Sequence, residues 1–370
     1  MRIVCDGLDL ADSVMKVSKG LSSRVTNPIL EGIKMVADDE KLTLSATDLE
    51  ISIEKTIKAE VKLEGETVVP GKFFCEYLKK LTNEQIELDV DEKNMMMIKY
   101  TDSVGKVQCL NAGEFPIIKQ LENCAYFEIT QKDLKSIINK TLYAVAVDDN
   151  RPILKGCKFE IAGDKLTAIA LDGFRLAMVK KQIKCASADM NIIVPGRSLN
   201  EIGKLLEDSD EVVRIYVDKH NLMIEIDSTK ITTRLLEGEF INYKQIIPDG
   251  FSTTLILNKG QLEDALERVA LISRVDKNNL VKYDIKDKKI VLTSRSDTCD
   301  IKETITVSQN GNDMVIAFNS RYFIEALRSV NDEFVRMNFT SNISPCIITQ
   351  NVDGVDESEY LFLILPVRLV

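Results

Sequence analysis

Val68-Val69-Pro70-Gly71-Lys72 recurs as Ile193-Val194-Pro195-Gly196-Arg197, and more loosely as Val315-Ile316-Ala317-Phe318-Asn319-Ser320-Arg321. Each stretch is a short apolar strand-like run, a break, a basic residue and then an amphipathic helix. The two prolines are 125 residues apart, and Pro195 and Phe318 are 123 apart. A period near 124 in a 370-residue chain means three domain-sized copies. Solenoid repeats are far shorter, roughly 20–50 residues.

The repetition extends outward from this motif. Each third is expected to open with an amphipathic helix, striped by Leu10, Val14, Val17 and Leu21, by Leu134, Ile137, Ile138, Thr141 and Val145, and by Leu262, Ala265, Leu266 and Val269. Thr130 with Asp133, and Asn258 with Gln261, read as caps of the second and third of these helices. A strand-rich stretch follows, in which Pro28-Ile29-Leu30-Glu31-Gly32 is echoed by Pro152-Ile153-Leu154-Lys155-Gly156. The second helices carry Phe74, Leu78 and Leu81, then Leu199, Ile202 and Leu206, then Phe323, Leu327 and Val330. Gly113-Glu114-Phe115 returns as Gly238-Glu239-Phe240. Two helices among many short alternating strands define an α+β domain with antiparallel sheet. The pattern restarts near 123 and 250, giving domains 1–123, 124–249 and 250–370 with short connections between them.

Composition bounds the function. Hydrophobic residues make up 45% and charged residues 29%, as in a soluble globular protein, and Trp is absent. No apolar run approaches the ~18 residues of a membrane helix, and the N-terminus reads as a strand rather than a signal peptide. These features point to a cytoplasmic protein. Eight scattered cysteines without a Cys-x-x-Cys pair read as buried thiols in a reducing compartment. The net charge of −10 discourages long-range nonspecific attraction to nucleic acid, but it is an average over all faces.

Catalytic chemistry is hard to find. His220 is the only histidine and sits in a turn-like Asp218-Lys219-His220-Asn221, which suits a solvated residue. One histidine excludes a His-rich metal site and leaves one candidate base for a nucleophile pair. No Gly-x-Gly occurs, and Pro70-Gly71-Lys72 lacks the flanking residues of a phosphate loop. Asp38-Asp39-Glu40 and Glu207-Asp208-Ser209-Asp210-Glu211 read as solvated turns rather than metal sites. No cofactor and no metal are expected. Charge says more. Lys16, Lys19, Lys72, Lys79, Lys80, Lys132, Lys135, Lys140, Arg197 and Lys204 gather on the helices, with Arg321 and Arg328 in the third copy. A basic face on an acidic body suits a polyanion held in one place. Near the end, Leu361-Phe362-Leu363-Ile364-Leu365-Pro366-Val367 is an apolar run in which Pro366 disfavours further sheet pairing. The last residues are expected to leave the sheet and line a groove.

Together these features resemble the bacterial DNA polymerase III beta subunit family, the sliding clamps. The resemblance covers essentially the whole chain. It is carried by Arg24-Val25-Thr26-Asn27-Pro28-Ile29-Leu30, Ala46-Thr47-Asp48-Leu49-Glu50, Val69-Pro70-Gly71-Lys72-Phe73-Phe74, Leu171-Asp172-Gly173-Phe174-Arg175-Leu176 and Leu365-Pro366-Val367-Arg368-Leu369. It implies a non-catalytic homodimer whose six domains close a ring around duplex DNA without sequence preference. It further implies that the replicative DNA polymerase and the clamp loader bind through short apolar peptides.

By resemblance, Arg24, Lys72, Arg151 and Arg197 contact DNA. The peptide pocket takes Leu154, Leu171, Gly173, Phe174, Arg175, Leu176, Ile241, Ile246, Asn319, Tyr322 and Pro345, together with Leu363, Ile364, Leu365, Pro366, Val367 and Arg368. The dimer edges are placed at Val107 and Cys109 and at Leu271 and Ile272. The chain departs from the family's usual Thr and His at Leu171 and Phe174, from a common Pro at Ile241 and from a common Arg at Gln245, and Val370 is additional. These changes make the pocket more apolar and less cationic. Two other readings are a threefold-repeat scaffold that binds peptides without encircling DNA, and an enzyme using an unrecognised carboxylate pair.

Overall fold

The computed structural model of the chain describes residues 1–22, 27–81, 85–121, 124–148, 150–273, 279–296, 299–352, 355 and 357–368. Among these, each copy holds nine strands and two helices in one order. The first copy is β1 (Arg2–Asp6), α1 (Gly7–Val17), β2 (Gly32–Asp38), β3 (Lys41–Thr47), β4 (Ile51–Lys58), β5 (Glu60–Leu63), β6 (Gly65–Pro70), α2 (Gly71–Leu78), β7 (Gln85–Val90), β8 (Met95–Tyr100) and β9 (Ser103–Gln108). The second is β10 (Ala125–Thr130), α3 (Gln131–Thr141), β11 (Gly156–Ala162), β12 (Lys165–Leu171), β13 (Arg175–Gln182), β14 (Cys185–Ala186), β15 (Met190–Pro195), α4 (Gly196–Gly203), β16 (Val212–Val217), β17 (Asn221–Ile226) and β18 (Thr229–Arg234). The third is β19 (Thr253–Asn258), α5 (Lys259–Ser273), β20 (Leu280–Lys286), β21 (Lys289–Arg295), β22 (Asp300–Thr306), β23 (Ser308–Gly311), β24 (Met314–Asn319), α6 (Ser320–Arg328), β25 (Phe334–Phe339), β26 (Cys346–Gln350) and β27 (Tyr360–Ile364).

The chain packs as two compact units, and the second copy contributes to both. One is Met1–Gln131 with Lys204–Leu235, the other Lys132–Gly203 with Leu236–Val370. In the first unit, β4 pairs antiparallel with β18, Ile51 opposite Thr233. In the second, β13 pairs antiparallel with β27, Arg175 opposite Ile364. These are one junction made twice, because β4 and β13 are equivalent strands, as are β18 and β27. A sheet therefore runs without interruption from one copy into the next inside each unit.

Helix stripes bury as the periodicity predicts. Leu10, Val14 and Val17 of α1 are fully buried, as are Leu262, Leu266 and Val269 of α5. Each such side chain contributes roughly 1.5–3 kcal/mol on removal from water. The helices do not open their copies, however: a strand precedes each, and β1 ends at Asp6, whose carboxylate caps α1 by accepting from Leu8 and Asp9 N–H. Asn258 caps α5 by accepting from Gln261 N–H at 3.0 Å, as its spacing predicts. The stretches at Pro28 and Pro152, expected to be strand, begin as 3₁₀ turns, Pro28–Glu31 and Pro152–Lys155. Proline's fixed φ favours the first turn of a helix, and Asn27 accepts from Ile29 N–H there. The acidic Asp39 and Glu40 occupy the β2–β3 turn with φ of 46° and 60°, a geometry such hairpins require. The cysteines are only partly as expected: Cys5, Cys75, Cys109, Cys157 and Cys346 are buried, Cys124 is half-buried and Cys299 is exposed.

The Pro-Gly motif has a packing cause. A Cβ at Gly71 would lie 2.8 Å from the Glu31 carbonyl oxygen and 2.6 Å from Leu21 Cδ1. At Gly196 it would lie 3.0 Å from the Lys155 carbonyl oxygen and 2.9 Å from Val145 Cγ1. In the third copy Ser320 stands here and donates its N–H to the equivalent carbonyl, Asn279 O, at 2.9 Å. Asn319 then caps α6 by accepting from Arg321 N–H, which proline at position 70 does not do. Gly71→Ala is expected to lower stability by about 1–3 kcal/mol through overpacking. A fall in the urea midpoint with unchanged slope checks this.

Candidate functional site

The β12–β13 turn organises the predicted pocket within the second unit. Asp172 Oδ1 accepts from Phe174 N–H and Arg175 N–H at 2.9 and 3.1 Å. Gly173 has φ +93°, a backbone that side chains rarely adopt. Phe174 is thereby presented outward, 60% exposed, with its ring stacked on Tyr322 at 6.2 Å. Arg175 turns inward and is buried. Its guanidinium bonds Asp172 at 2.9 Å and Glu325, and lies over the rings of Tyr322 and Tyr143 at 4.6 and 5.2 Å.

Beneath the turn lies an apolar floor. Leu154, Leu171, Leu176 and Leu363 join Ala146, Ile169 and Tyr243 in one buried cluster, and Ile241 packs against it half-buried. Leu154, Leu171, Leu176, Leu363 and Ile364 are so fully covered that they can only shape the site from below. Side chains open to a visitor are Phe174, Ile246, Leu365 and Arg368, with Tyr322, Asn319, Pro345, Pro366 and Val367 half-buried. The chain leaves the sheet after Ile364, as Pro366 predicts. It is then held by Leu365 N–H to Phe174 O (2.9 Å) and Val367 N–H to Ala317 O (2.8 Å).

That last bond is also a repeat. Leu110 N–H donates to Val68 O at 2.8 Å, and Leu236 N–H to Ile193 O at 2.9 Å. Val68, Ile193 and Ala317 are equivalent positions of β6, β15 and β24. The tail is thus the third copy of a segment that covers an otherwise open strand edge. Sequence reading missed this because Leu110, Leu236 and Val367 share no recognisable motif. It also missed Tyr143 and Glu325, which reach Arg175 from distant parts of the chain.

The predicted DNA contacts divide between the units. Lys72 is exposed in the first turn of α2, without a side-chain partner among the described residues. Arg197 is exposed in the first turn of α4, and Arg151 is exposed just ahead of the Pro152–Lys155 turn. Arg24 lies outside the described residues. In the third copy Arg321 is paired to Glu325 at 2.7 Å, and Arg328 to Glu263 and Glu267 at 3.4 and 2.5 Å. Of the predicted dimer residues, Val107 and Cys109 are buried against their own unit, and burial raises the Cys109 thiol. Ile272 is buried, while Leu271 is 65% exposed at the end of α5.

Among the described residues no group of three or more His, Cys, Asp or Glu is placed to hold a metal. No helix among them is long and apolar enough to cross a membrane. His220 is exposed, as its turn predicts.

Three family patterns match this chain in order: the N-terminal domain of the DNA polymerase III beta subunit over residues 1–119, its central domain over 128–242 and its C-terminal domain over 244–368. The beta sliding clamp of Halalkalibacterium halodurans is 34% identical over 382 residues, covering 100% of both chains. The crystal structure of the DNA polymerase sliding clamp from Bacillus subtilis is 30% identical and superposes with a TM-score of 0.96 over 100% of both chains. A sliding clamp from Pseudomonas aeruginosa bound to griselimycin is 25% identical, with a TM-score of 0.92 over 100% of both chains. The chain belongs to the DNA polymerase III beta subunit family, the beta sliding clamps. Its role is that family's: a non-catalytic processivity factor of DNA replication, with DNA and the polymerase as partners.

The ion pairs of the second unit make its stability pH-dependent. Burial alone would raise the Glu325 carboxyl, but hydrogen bonds from Arg321 and Arg175 outweigh it and hold it below the usual glutamate value. Glu359 is likewise held down, burial being outweighed by Lys140 and Lys181. A carboxylate depressed in the folded state stabilises at pH above its unfolded pKa, and the contribution is lost as pH falls through the folded one. Glu359→Gln should therefore show a smaller loss of urea midpoint between about pH 7 and about pH 4 than the unaltered chain.

Proposed function

We propose that two copies of this chain, each with domains 1–123, 124–249 and 250–370, close head to tail into a six-domain ring. Duplex DNA threads the ring, and the polymerase and clamp loader dock through short apolar peptides. The observation that carries this reading is a pair of unlike open strands. The chain makes one junction twice, β4 with β18 and β13 with β27. β22 is the third equivalent of β4 and β13, and β9 the third equivalent of β18 and β27. Each ends a sheet, in the orders β5-β1-β7-β8-β9 and β22-β21-β20-β24. Pairing β22 of one copy with β9 of the next repeats the internal rule, and two such contacts close. Val107 lies on that first edge and Cys109 directly follows it, and both side chains are buried, so the edge is offered through backbone rather than through them. Leu271 lies at the end of α5, the helix that packs on β22.

Lys72, Arg151, Arg197 and Arg24 then supply weak, sequence-independent phosphate contacts. Retention comes from topology, so moderate charge leaves the protein mobile on the duplex. The groove beside Phe174, Tyr322 and the tail takes the peptide anchors, with aromatic and apolar surface and few polar groups. Free cysteines support a reducing, cytoplasmic setting.

The test is topological. The protein is loaded on nicked circular DNA with its loader, and the circle is then cut. Release upon cutting is expected, whereas retention on linear DNA with free ends overturns the reading. Native mass should be that of two chains. Deleting Pro366 to Val370 should abolish binding of polymerase-derived peptides with the dimer intact, and unchanged affinity would remove the tail from the groove.

A further inference from the structure

The junction that the second unit builds around Phe174 is built again in the first unit, with different chemistry. Asp48 Oδ1 accepts from Glu50 and Ile51 N–H at 3.0 and 2.9 Å, as Asp172 does for its own turn. Arg234 N–H donates to Glu50 O at 2.9 Å, the match of Leu365 to Phe174. Through this register Thr47 stands for Leu171, Leu49 for Gly173, Glu50 for Phe174, Arg234 for Leu365 and Asn221 for Pro345.

A cleft of about 340 Å³ opens at this second junction, between the β3–β4 turn, the ends of β17 and β18, and the segment Pro116 to Lys119. Two aliphatic side chains stand uncovered in its lining, Leu49 at 63% and Ile117 at 98% exposure. Leu49 holds φ +77° where the other junction has glycine, a strained backbone kept by a leucine that covers no core. The polar lining is already committed in part. Burial would raise the Asp218 carboxyl, but the Lys119 ammonium at 2.5 Å and the His220 and Asn221 N–H groups outweigh it and hold it down to about 2. The Arg234 guanidinium, exposed in the same lining, has no side-chain partner among the described residues.

We propose that this cleft is a second peptide-binding site, and that it takes an acidic peptide. An aliphatic side chain of the peptide rests on Leu49 and Ile117, and a neighbouring carboxylate takes the fork of Arg234. The site is polar where the groove at Phe174 is apolar, because Arg234 stands for Leu365, Thr47 for Leu171 and Glu50 for Phe174, and Arg234 is the lining cation without a side-chain partner among the described residues.

The test is methyl NMR of the intact protein, titrated with acetyl-Gly-Leu-Glu-Asp-Gly-amide and with its neutral counterpart acetyl-Gly-Leu-Gln-Asn-Gly-amide. The acidic peptide should shift the Leu49 and Ile117 methyls saturably and bind about fivefold more tightly than the neutral one, the scale of an exposed ion pair. Arg234→Gln should abolish that preference. Leu49→Gly, which relieves the backbone, should weaken both peptides. Absence of saturable shifts at Leu49 and Ile117, or a preference that survives in Arg234→Gln, overturns the proposal. Shifts confined to Leu176 and Leu363 would overturn it too while supporting the groove at Phe174. Retention on linear DNA would overturn the ring without touching the cleft.

Discussion

Main-chain pairing between neighbouring copies is the constraint on which the rest depends. A strand edge that is neither paired nor covered invites other chains. This protein meets that problem in two ways, each repeated. β4 and β13 are paired by β18 and β27. β6, β15 and β24 are covered through a reciprocal pair of bonds at Val68 and one bond each at Ile193 and Ala317. Once those positions are set, the register of every strand between them follows, because a slip by one residue would turn the buried face outward. The apolar tail is explained by the same need. It covers β24, and is held beside the Phe174 turn through Leu365 as a consequence.

The copies diverge where the electrostatics do. In the first copy the cation after the Pro-Gly break, Lys72, is exposed without a side-chain partner among the described residues, and in the second Arg197 is exposed. In the third, Arg321 is bound by Glu325, and the same glutamate also holds Arg175. One carboxylate thus withdraws a helix cation and fixes the arginine under the Phe174 turn. In the third copy the helix cation is thus tied to the same carboxylate that holds Arg175.

Much of the fold was legible from spacing alone. A repeat of this length, two amphipathic stripes per copy and alternating strands each report a local physical period, and burial followed them at Leu10, Leu134 and Leu262. The strand Arg2–Asp6 was legible at the N-terminus, but its equivalents ahead of α3 and α5, Ala125–Thr130 and Thr253–Asn258, were not, being too short to outweigh the helix signal beside them. The two 3₁₀ turns were misread because Ile29 and Leu30 look like strand residues whatever backbone carries them. Of the pocket, the motif at Leu171 to Leu176 and the tail could be seen in the sequence. Tyr143 and Glu325 could not, since nothing local distinguishes a tyrosine that lies under an arginine or a glutamate paired across 150 residues.

The same locality explains why the cleft at Leu49 escaped sequence reading while its counterpart did not. Both turns carry aspartate at one position, and that aspartate organises the turn in each. What differs is the next residue. Glycine at 173 accepts positive φ without strain, so the chain reads there as an ordinary turn. Leucine at 49 accepts it only because Thr47 Oγ1 and Asp48 Oδ1 bond the N–H groups of residues 49 to 51. A leucine so held, and still exposed, gains no burial in return for its strain. In a duplicated fold, equivalent positions begin with equivalent demands, so the residue that breaks the local rule marks where the copies have been put to different uses.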